Sequence, residues 1–362
     1  MEKLVYVDRR NTNCNKWDGQ QKMFGEEGLH AMWVADMDFR VPECVVSALR
    51  EYVESGVYGY YKIPDAYYQA FIDWEREHHG YEVKKEWIRF SPGVVAGFHW
   101  LLQILTEEND AVIVNTPVYY PFLDAVKNNH RNLICSDLKN ENGEYSIDFD
   151  DFEKKITDHQ VKLFILCSPH NPAGRVWKKE EIQKFMDICK KHDVLVFSDE
   201  IWSDLVRKEN THIPTQSISE DAKKRTIAGY APSKTFNLAG LVGSYHIVYD
   251  KYLRDRLNKQ ASLSHYNSPN ILSVHALMGA YCKEGLDWVN ELNEVISNNI
   301  DYALDFIHNN FKGIEVIKPE GTYMLYLDCT KYLDTHDITM DELLKKGVHY
   351  GVCWQDGRPF MN

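Results

Sequence analysis

The sequence predicts an α/β protein with a mainly parallel sheet, followed by a smaller α+β domain. From about residue 85 onward, short apolar runs alternate with helical patterns, which is typical of successive βαβ units. After Asp250 the pattern becomes mostly helical until about residue 310, and strand-like segments follow at 314–317 and 323–327. No internal repeat or low-complexity linker interrupts this order.

Each element of the sheet is assigned from its own apolar run. The candidate strands are 111–115, 132–135, 162–167, 194–198, 226–230 and 245–249. The candidate helices between them include 95–105, 122–128 and 179–192. In the last of these, Ile182, Phe185 and Cys189 fall on one face, as expected of a helix that packs on a sheet.

We expect three segments along the chain. An N-terminal arm with part of the small domain spans 1–45, a large domain that contains the sheet spans 46–280, and a small C-terminal domain spans 281–362. The first forty or so residues have irregular patterning. We therefore expect them to pack as an arm against the small domain or against a partner subunit.

Composition and charge exclude several classes of function. The chain has 362 residues, 44% of them hydrophobic and 26% charged, which is ordinary for a globular protein. The net charge of −13 argues against a nucleic-acid surface, because phosphate binding needs clustered lysine and arginine. No apolar run reaches the ~18 residues of a membrane span, and the N-terminus lacks a signal-peptide core. Eight cysteines without metal-like spacing indicate a reducing cytoplasm, with neither disulfides nor a bound metal.

Polar side chains follow four of the candidate strands. They are Tyr119 and Tyr120 after 111–115, His170 and Asn171 after 162–167, Asp199 and Glu200 after 194–198, and Lys234 after 226–230. Ligands of open α/β sheets bind beyond the carboxyl ends of the strands. Taken singly, each of these residues has a plainer explanation, such as a helix cap, loop punctuation, half-buried packing or a solvated charge. Four successive strand ends that share one sheet edge favour a site.

A fifth segment, SPGVVAG at 91–97, precedes the helix predicted at 95–105. Small residues there leave backbone N–H groups free at a helix N-terminus, which suits a phosphate. By itself the pattern is weak, because Ser-Pro-Gly is also a common turn.

An amine, a carboxylate, an aromatic ring and a phosphate cradle together suit pyridoxal 5′-phosphate. In this interpretation Lys234 forms a Schiff base with the cofactor's aldehyde and Asp199 partners the pyridine nitrogen. Lys234 must be partly neutral to act as a nucleophile, which burial can bring about. Ser233, the preceding residue, is a candidate for the phosphate shell.

Several segments also resemble a known family. GVVAG, TPVYYPF, CSPHNPAGRVW, SDEI, APSKTFNLAGL and EGTYMLYLD occur in the order found in fold-type I pyridoxal-phosphate enzymes related to class I and II aminotransferases. KWD at 16–18, ADMDF at 35–39 and the tyrosine doublet resemble the cystathionine β-lyase and cystalysin branch. The resemblance covers nearly the whole chain. It implies a transferase-like large domain with a seven-stranded, mainly parallel sheet.

The resemblance also implies roles for individual residues. The cofactor-binding set is Lys234 as Schiff-base lysine, Asp199 on the pyridinium nitrogen, Tyr119 stacked on the ring, Asn171 on the phenolic oxygen, Gly93, Val94, Val95 and Ser233 around the phosphate, and Tyr60 on the phosphate of the neighbouring subunit in a homodimer. Ala35 and Asp36 are expected near the substrate carboxylate, and Asn171 and Tyr120 on the substrate side. Tyr120 and the partner's Tyr60 are candidates for protonating a leaving sulfur.

Two departures from the family pattern concern substrate and cofactor contacts. The family has histidine or tyrosine three positions after the pyridinium aspartate, whereas this chain has Trp202. By its position Trp202 belongs to the expected cofactor-binding set, but its indole can donate a hydrogen bond and cannot accept one. The family also binds the substrate carboxylate through an arginine in an RLN- or RIN-like segment. The sequence stops at DGRPFMN before that point, and Arg358 does not align with it. We expect a truncated small domain, with a naturally shortened chain as the alternative.

The predicted function is a pyridoxal-phosphate-dependent carbon–sulfur β-lyase acting on cystathionine, cystine or a related S-substituted cysteine. An aminotransferase with the same cofactor is the alternative, since both reactions begin with proton removal from Cα. A third possibility is a cofactor-binding regulatory protein with weak catalysis, which Lys234 and Asp199 argue against.

Overall fold

The computed structural model describes residues 4–141, 143–266 and 268–361. Its strands are β1 (His30–Met32), β2 (Ile88–Ser91), β3 (Ala111–Thr116), β4 (Asn132–Asp137), β5 (Lys139–Glu141), β6 (Glu144–Ser146), β7 (Leu163–Cys167), β8 (Leu195–Asp199), β9 (Thr226–Tyr230), β10 (Ser244–Val248), β11 (Glu315–Val316), β12 (Leu327–Asp328) and β13 (Val352–Trp354). Its α-helices are α1 (Asn15–Asp18), α2 (Gln20–Phe24), α3 (Glu43–Glu54), α4 (Asp65–His79), α5 (Val94–Leu105), α6 (Tyr120–Asn128), α7 (Phe149–His159), α8 (Lys179–Lys191), α9 (Glu220–Arg225), α10 (Pro232–Thr235), α11 (Lys251–Leu263), α12 (Ile271–Ala280), α13 (Lys283–Asn310), α14 (Thr330–His336) and α15 (Met340–His349).

A seven-stranded sheet with the order β2-β10-β9-β8-β7-β3-β4 forms the centre of the chain. Strand β10 runs antiparallel to β2 and β9, and the remaining pairs are parallel. The prediction of a mainly parallel, seven-stranded sheet is confirmed. Each of the six predicted strands is present, with ends that differ by at most two residues.

Helices cover both faces of the sheet, which explains why its strands are apolar throughout. Val112 and Val114 of β3 pack with residues of α5 and α6, whereas Ile113 between them packs with residues of α7 and α8. All residues of β3, β7 and β9 are buried. Two-sided burial is the usual state of parallel strands and leaves their ends as the accessible part.

The N-terminal arm is tied to the C-terminal region. Strand β1 pairs in parallel with β13, with Ala31 opposite Cys353. Of the two expected arrangements of the arm, against the small domain or against a partner subunit, this pairing is consistent with the first. The three domain boundaries remain a prediction.

The strand predicted at 323–327 is wrong. Only Leu327 belongs to a strand, β12, which pairs with β11. Upstream of Leu327, the backbone bonds instead to the segment that follows β8. Thr322 N donates to Leu205 O at 2.7 Å, and Gly321 forms an isolated bridge with Val206.

Within the described ranges, no helix has the length and apolar character needed to cross a membrane.

Candidate active site

The sheet aligns the strand ends that carry the polar residues. Cys167, the last residue of β7, lies opposite Asp199 at the end of β8, and Asp199 in turn lies opposite Gly229 of β9. The chain order reverses between β3 and β7, which is the position where open α/β sheets form a ligand crevice. Tyr119 and Asn171 follow these two strands, and Tyr119 N donates to Asn171 O at 3.0 Å.

Lys234 lies on α10, a four-residue helix that follows β9 and begins with a proline. Its Nζ donates to the carbonyl of Ala35 at 3.0 Å and lies 5.3 Å from the centre of the Trp202 ring. Burial lowers the pKa of Lys234, against the opposing effect of the Asp199 and Asp36 charges. The amine is therefore closer to its neutral, nucleophilic form than a surface lysine is.

Asp199 is a buried carboxylate with few hydrogen-bond partners among the described residues. Among the residues that the structure describes, one donor reaches it, the backbone N–H of Ile201 at 3.3 Å. Burial raises its pKa to about 7, although the charge of Lys234 acts in the opposite direction. No described residue forms an ion pair with Asp199, so a cationic partner in contact with it would stabilise its charge.

The next residue, Glu200, has the opposite environment. It accepts hydrogen bonds from Tyr230 Oη at 2.6 Å, His212 Nε2 and Ser198 Oγ at 2.8 Å each, and Thr215 N at 3.1 Å. Burial acts to raise its pKa, but these partners lower it below the usual value. Glu200 is therefore held within the fold, whereas Asp199 is open to the crevice.

Asn171 presents a second open polar group at this edge. Its side chain is buried, and its Oδ1 has no hydrogen-bond partner in the described part of the chain. The preceding residue, His170, donates from Nε2 to Pro117 O at 2.8 Å, and burial lowers its pKa to about 4. His170 is thus a neutral residue that links the two loops bordering the crevice.

The segment predicted as a phosphate cradle has the expected backbone. Gly93 has φ +94°, a conformation that favours glycine, and α5 begins directly after it at Val94. Gly93 lies close to Val242 Cγ1, at 3.6 Å from the position that a Cβ on Gly93 would take. The N–H groups of Val94 and Val95 belong to the first turn of α5, which is where a helix binds anions.

The N-terminal arm contributes Ala35 and Asp36 to the site in different ways. The carbonyl of Ala35 contacts Lys234, as described above. The carboxylate of Asp36 is engaged in ion pairs with Arg9 at 2.7 Å and Lys16 at 3.5 Å. Arg9 and Lys16 also bind Asp38. This charge cluster fixes the arm and was missed by the sequence reasoning, although KWD and ADMDF both belong to it.

Asn237 is a further residue that the sequence reasoning missed. Its Nδ2 donates to Met37 O at 2.7 Å and its Oδ1 accepts from Met37 N at 3.0 Å. These bonds join the segment after Lys234 to the arm. The available signal was the occurrence of Asn237 within the quoted SKTFN stretch.

The remaining predicted residues differ in how the single chain places them. Trp202 is buried and meets Tyr323 edge-on, with ring centres 4.9 Å apart. Tyr120 contacts Tyr119 at 5.7 Å and Phe360 at 5.5 Å between ring centres. Tyr60 is fully exposed. Ser233 lies within α10 beside Lys234.

Comparisons with known proteins agree with this geometry. The family model described as aminotransferase class I and II matches residues 34–361. The chain is 38% identical to cystathionine beta-lyase PatB of Bacillus subtilis (strain 168), over 94% of this chain and 88% of that protein. A PLP-bound C–S lyase from Staphylococcus hominis superimposes with a TM-score of 0.91 at 35% identity, covering 99% of this chain and 90% of the other. Cystalysin from Treponema denticola gives a TM-score of 0.93 at 32% identity, with coverage of 99% and 90%.

The resemblance predicted from the sequence is thus confirmed by the family model, by curated relatives and by solved structures. The chain belongs to the aminotransferase class I and II family, in the branch that contains the cystathionine β-lyases and cystalysin.

Proposed function

We propose that this chain is a pyridoxal 5′-phosphate-dependent carbon–sulfur β-lyase that acts on cystathionine, cystine or a related S-substituted cysteine. The observation that carries the proposal is the pair formed by Lys234, a partly buried amine, and Asp199, a buried carboxylate with one hydrogen-bond donor among the described residues, at the carboxyl ends of neighbouring strands. The similar proteins include a cystathionine beta-lyase and a C–S lyase. An aminotransferase, which would use the same lysine and carboxylate, is the alternative.

The unpaired groups of the crevice fit the cofactor. The Asp199 carboxylate forms no ion pair with a described residue, and a protonated pyridine nitrogen would supply that partner. The open amide of Asn171 suits the ring's phenolic oxygen, since rotation of the amide group can present its nitrogen as a donor in place of its oxygen. Tyr119 would cover the ring, and the backbone from Gly93 to Val95 with Ser233 would hold the phosphate.

When bound, pyridoxal phosphate links to the substrate amino group and withdraws electrons from Cα, which no side chain of the site can do. Lys234 would take the Cα proton as general base, a role that its lowered pKa favours. Asp199 would hold the ring nitrogen in its protonated form, which favours electron withdrawal. Loss of the Cα proton would let the carbon–sulfur bond break at Cβ, with the electron pair leaving on sulfur, which takes up a proton to give the thiol. Water would then hydrolyse the released aminoacrylate to pyruvate and ammonia.

We also propose a homodimer. Tyr60 is fully exposed in the single chain, and the neighbouring Val57 and Tyr58 are 71% and 57% exposed. Such an apolar loop suits burial against a second copy, where Tyr60 would reach the partner's phosphate and lie near the leaving sulfur.

The eight cysteines are free thiols, which suits a cytoplasmic location.

The experiment is to incubate the purified, cofactor-loaded enzyme with cystathionine alone and, separately, with an amino acid plus a keto acid. The proposal expects pyruvate and free thiol in equal amounts without any keto acid. Amino transfer without thiol release would identify an aminotransferase instead. No reaction in either mixture, despite bound cofactor, would favour a regulatory protein.

A further inference from the structure

We propose that Asp204 is a positioning residue for Lys234. It lies in the turn after β8, whose Trp202 ring faces the lysine amine, and its carboxylate bonds α10, the helix that bears the lysine. The inference rests on the proposed function, in which Lys234 carries the chemistry. Asp204 lies five residues after Asp199, outside the crevice described above.

The hydrogen bonds of the Asp204 carboxylate define this connection. Oδ2 accepts from Thr235 Oγ1 at 2.8 Å, and Thr235 directly follows Lys234 on α10. Oδ1 accepts from Trp74 Nε1 at 2.9 Å and contacts His79 Nε2 at 3.0 Å, both on α4. The main-chain carbonyl of Asp204 also accepts from Asn293 Nδ2 at 2.8 Å.

The connection reaches Lys234 from both sides. Through Thr235 the carboxylate holds the helix that bears the lysine. Asp204 itself belongs to the turn after β8, two residues after Trp202. The Trp202 ring in turn contacts Lys234 Nζ. A four-residue helix has little stability of its own, so the direction of Lys234 depends on tertiary bonds such as this one.

The charges around Asp204 keep it ionised. Burial acts to raise the pKa of Asp204, but the His79, Thr235 and Trp74 partners lower it. His79 is buried, and the charges of Glu75 and Asp204 raise its pKa to about 9 against the effect of burial. Glu75, also buried, has a pKa that burial raises to about 8, although the charge of His79 acts in the opposite direction. The Asp204 carboxylate is thus paired with His79, and Glu75 lies beside this pair.

The test compares Thr235→Val with Thr235→Ser in the cofactor-loaded enzyme. Valine has nearly the shape of threonine but removes the hydroxyl, whereas serine keeps it. We expect Thr235→Val to alter the visible circular dichroism of bound pyridoxal phosphate, which reports the ring's orientation. We expect kcat to fall about 10-fold or more, since a displacement on the order of 1 Å at the reacting group can cost ~10²-fold. Thr235→Ser should restore both signals.

Asp204→Asn extends the test as a double-mutant cycle with Thr235→Val. If Asp204 acts through Thr235, the double variant should be little worse than the poorer single variant. Lowered Tm with unchanged circular dichroism and kcat in the Thr235→Val enzyme would overturn the proposal, because Asp204 would then be merely structural. The circular dichroism needs no substrate. A changed signal in a protein that lacks lyase activity would therefore refute the proposed function and retain this inference.

Discussion

Asp199 and Glu200 are neighbours at the end of β8, both fully buried, and their environments are opposite. Glu200 accepts four hydrogen bonds and its pKa is lowered, whereas Asp199 accepts one long bond and its pKa is raised to about 7. A buried charge costs free energy unless it is paired. Glu200 finds its partners within the chain and serves the fold. Asp199 lacks such partners among the described residues, which is why we propose it as the group that binds the cofactor.

The same contrast separates two larger regions. In the crevice, Asp199 and Asn171 keep open polar atoms. Behind it, Asp204 binds His79, Trp74 and Thr235 in a network that the chain itself completes. The Asp204 carboxylate is thus satisfied within the chain, whereas the polar groups of the crevice are not. Variants on each side test this contrast.

The largest effect is expected at the lysine. Lys234→Ala should lower kcat/KM for cystathionine by at least ~10³-fold, because it removes both the cofactor attachment and the general base. The visible absorbance of the bound cofactor should shift as well, which a spectrum of the loaded protein checks. Lys251→Ala is the matched control, since Lys251 is exposed and pairs with Asp255 on the surface. Unchanged colour in Lys234→Ala would show that another residue holds the cofactor.

Asp199→Asn should lower the activity of the enzyme and raise the stability of the cofactor-free protein. We expect kcat to fall about 10²–10³-fold, because a preorganised charge at the reacting group is lost. The cofactor-free variant should nevertheless be more stable than the parent above pH 4. The pKa of Asp199 is about 7 in the fold and 3.8 ordinarily, so the parent loses stability as the pH rises between these values. Urea unfolding of both apoproteins at pH 5 and pH 8 measures the difference, and a less stable variant at pH 8 would contradict the account.

Glu200→Gln should lower the free energy of unfolding and leave cofactor binding intact. An amide cannot accept from all four donors, and we expect a loss of about 2–3 kcal/mol in the free energy of unfolding. The folded fraction should still bind cofactor. Glu220→Gln, on the exposed helix α9, is the control and should be near neutral. If Glu200→Gln proved as stable as the parent, the assignment of Glu200 to the fold would fail.

The smallest effect concerns Glu75. Its pKa is about 8 in the fold, against an ordinary 4.5, so the unfolded chain releases this proton first and the parent loses stability as the pH rises through this window. Glu75→Gln has no such proton. Its Tm relative to the parent should therefore increase between pH 6 and pH 7, by an amount corresponding to about 1 kcal/mol. Glu77→Gln, exposed on the same helix, should show no trend.

The sequence predicted the sheet and the strand-end residues because both follow from local patterns. Strands buried on two faces are continuous apolar runs, and a parallel sheet brings their ends together. The segment 323–327 was misassigned because its tyrosines favour strands, whereas the backbone bond from Thr322 to Leu205 decided its course.

The contacts that fix the arm and Lys234 could not be predicted in this way. Asn237 bonds Met37 across 200 residues of chain, and Asp204 bonds Trp74 across 130. No periodicity links such pairs. They depend on how the helices and the arm pack in three dimensions, which one sequence does not encode in a readable pattern.

The most direct test of the account is the stabilisation that the cofactor gives to two proteins. Apoenzyme and Asp199→Asn are titrated with pyridoxal 5′-phosphate at pH 8, and Tm is followed in each. If Asp199 is the unpaired charge that the cofactor's ring nitrogen completes, the parent should gain much more in Tm at saturation than the variant does. Equal gains would show that Asp199 does not hold the cofactor, and the central assignment of the site would be wrong.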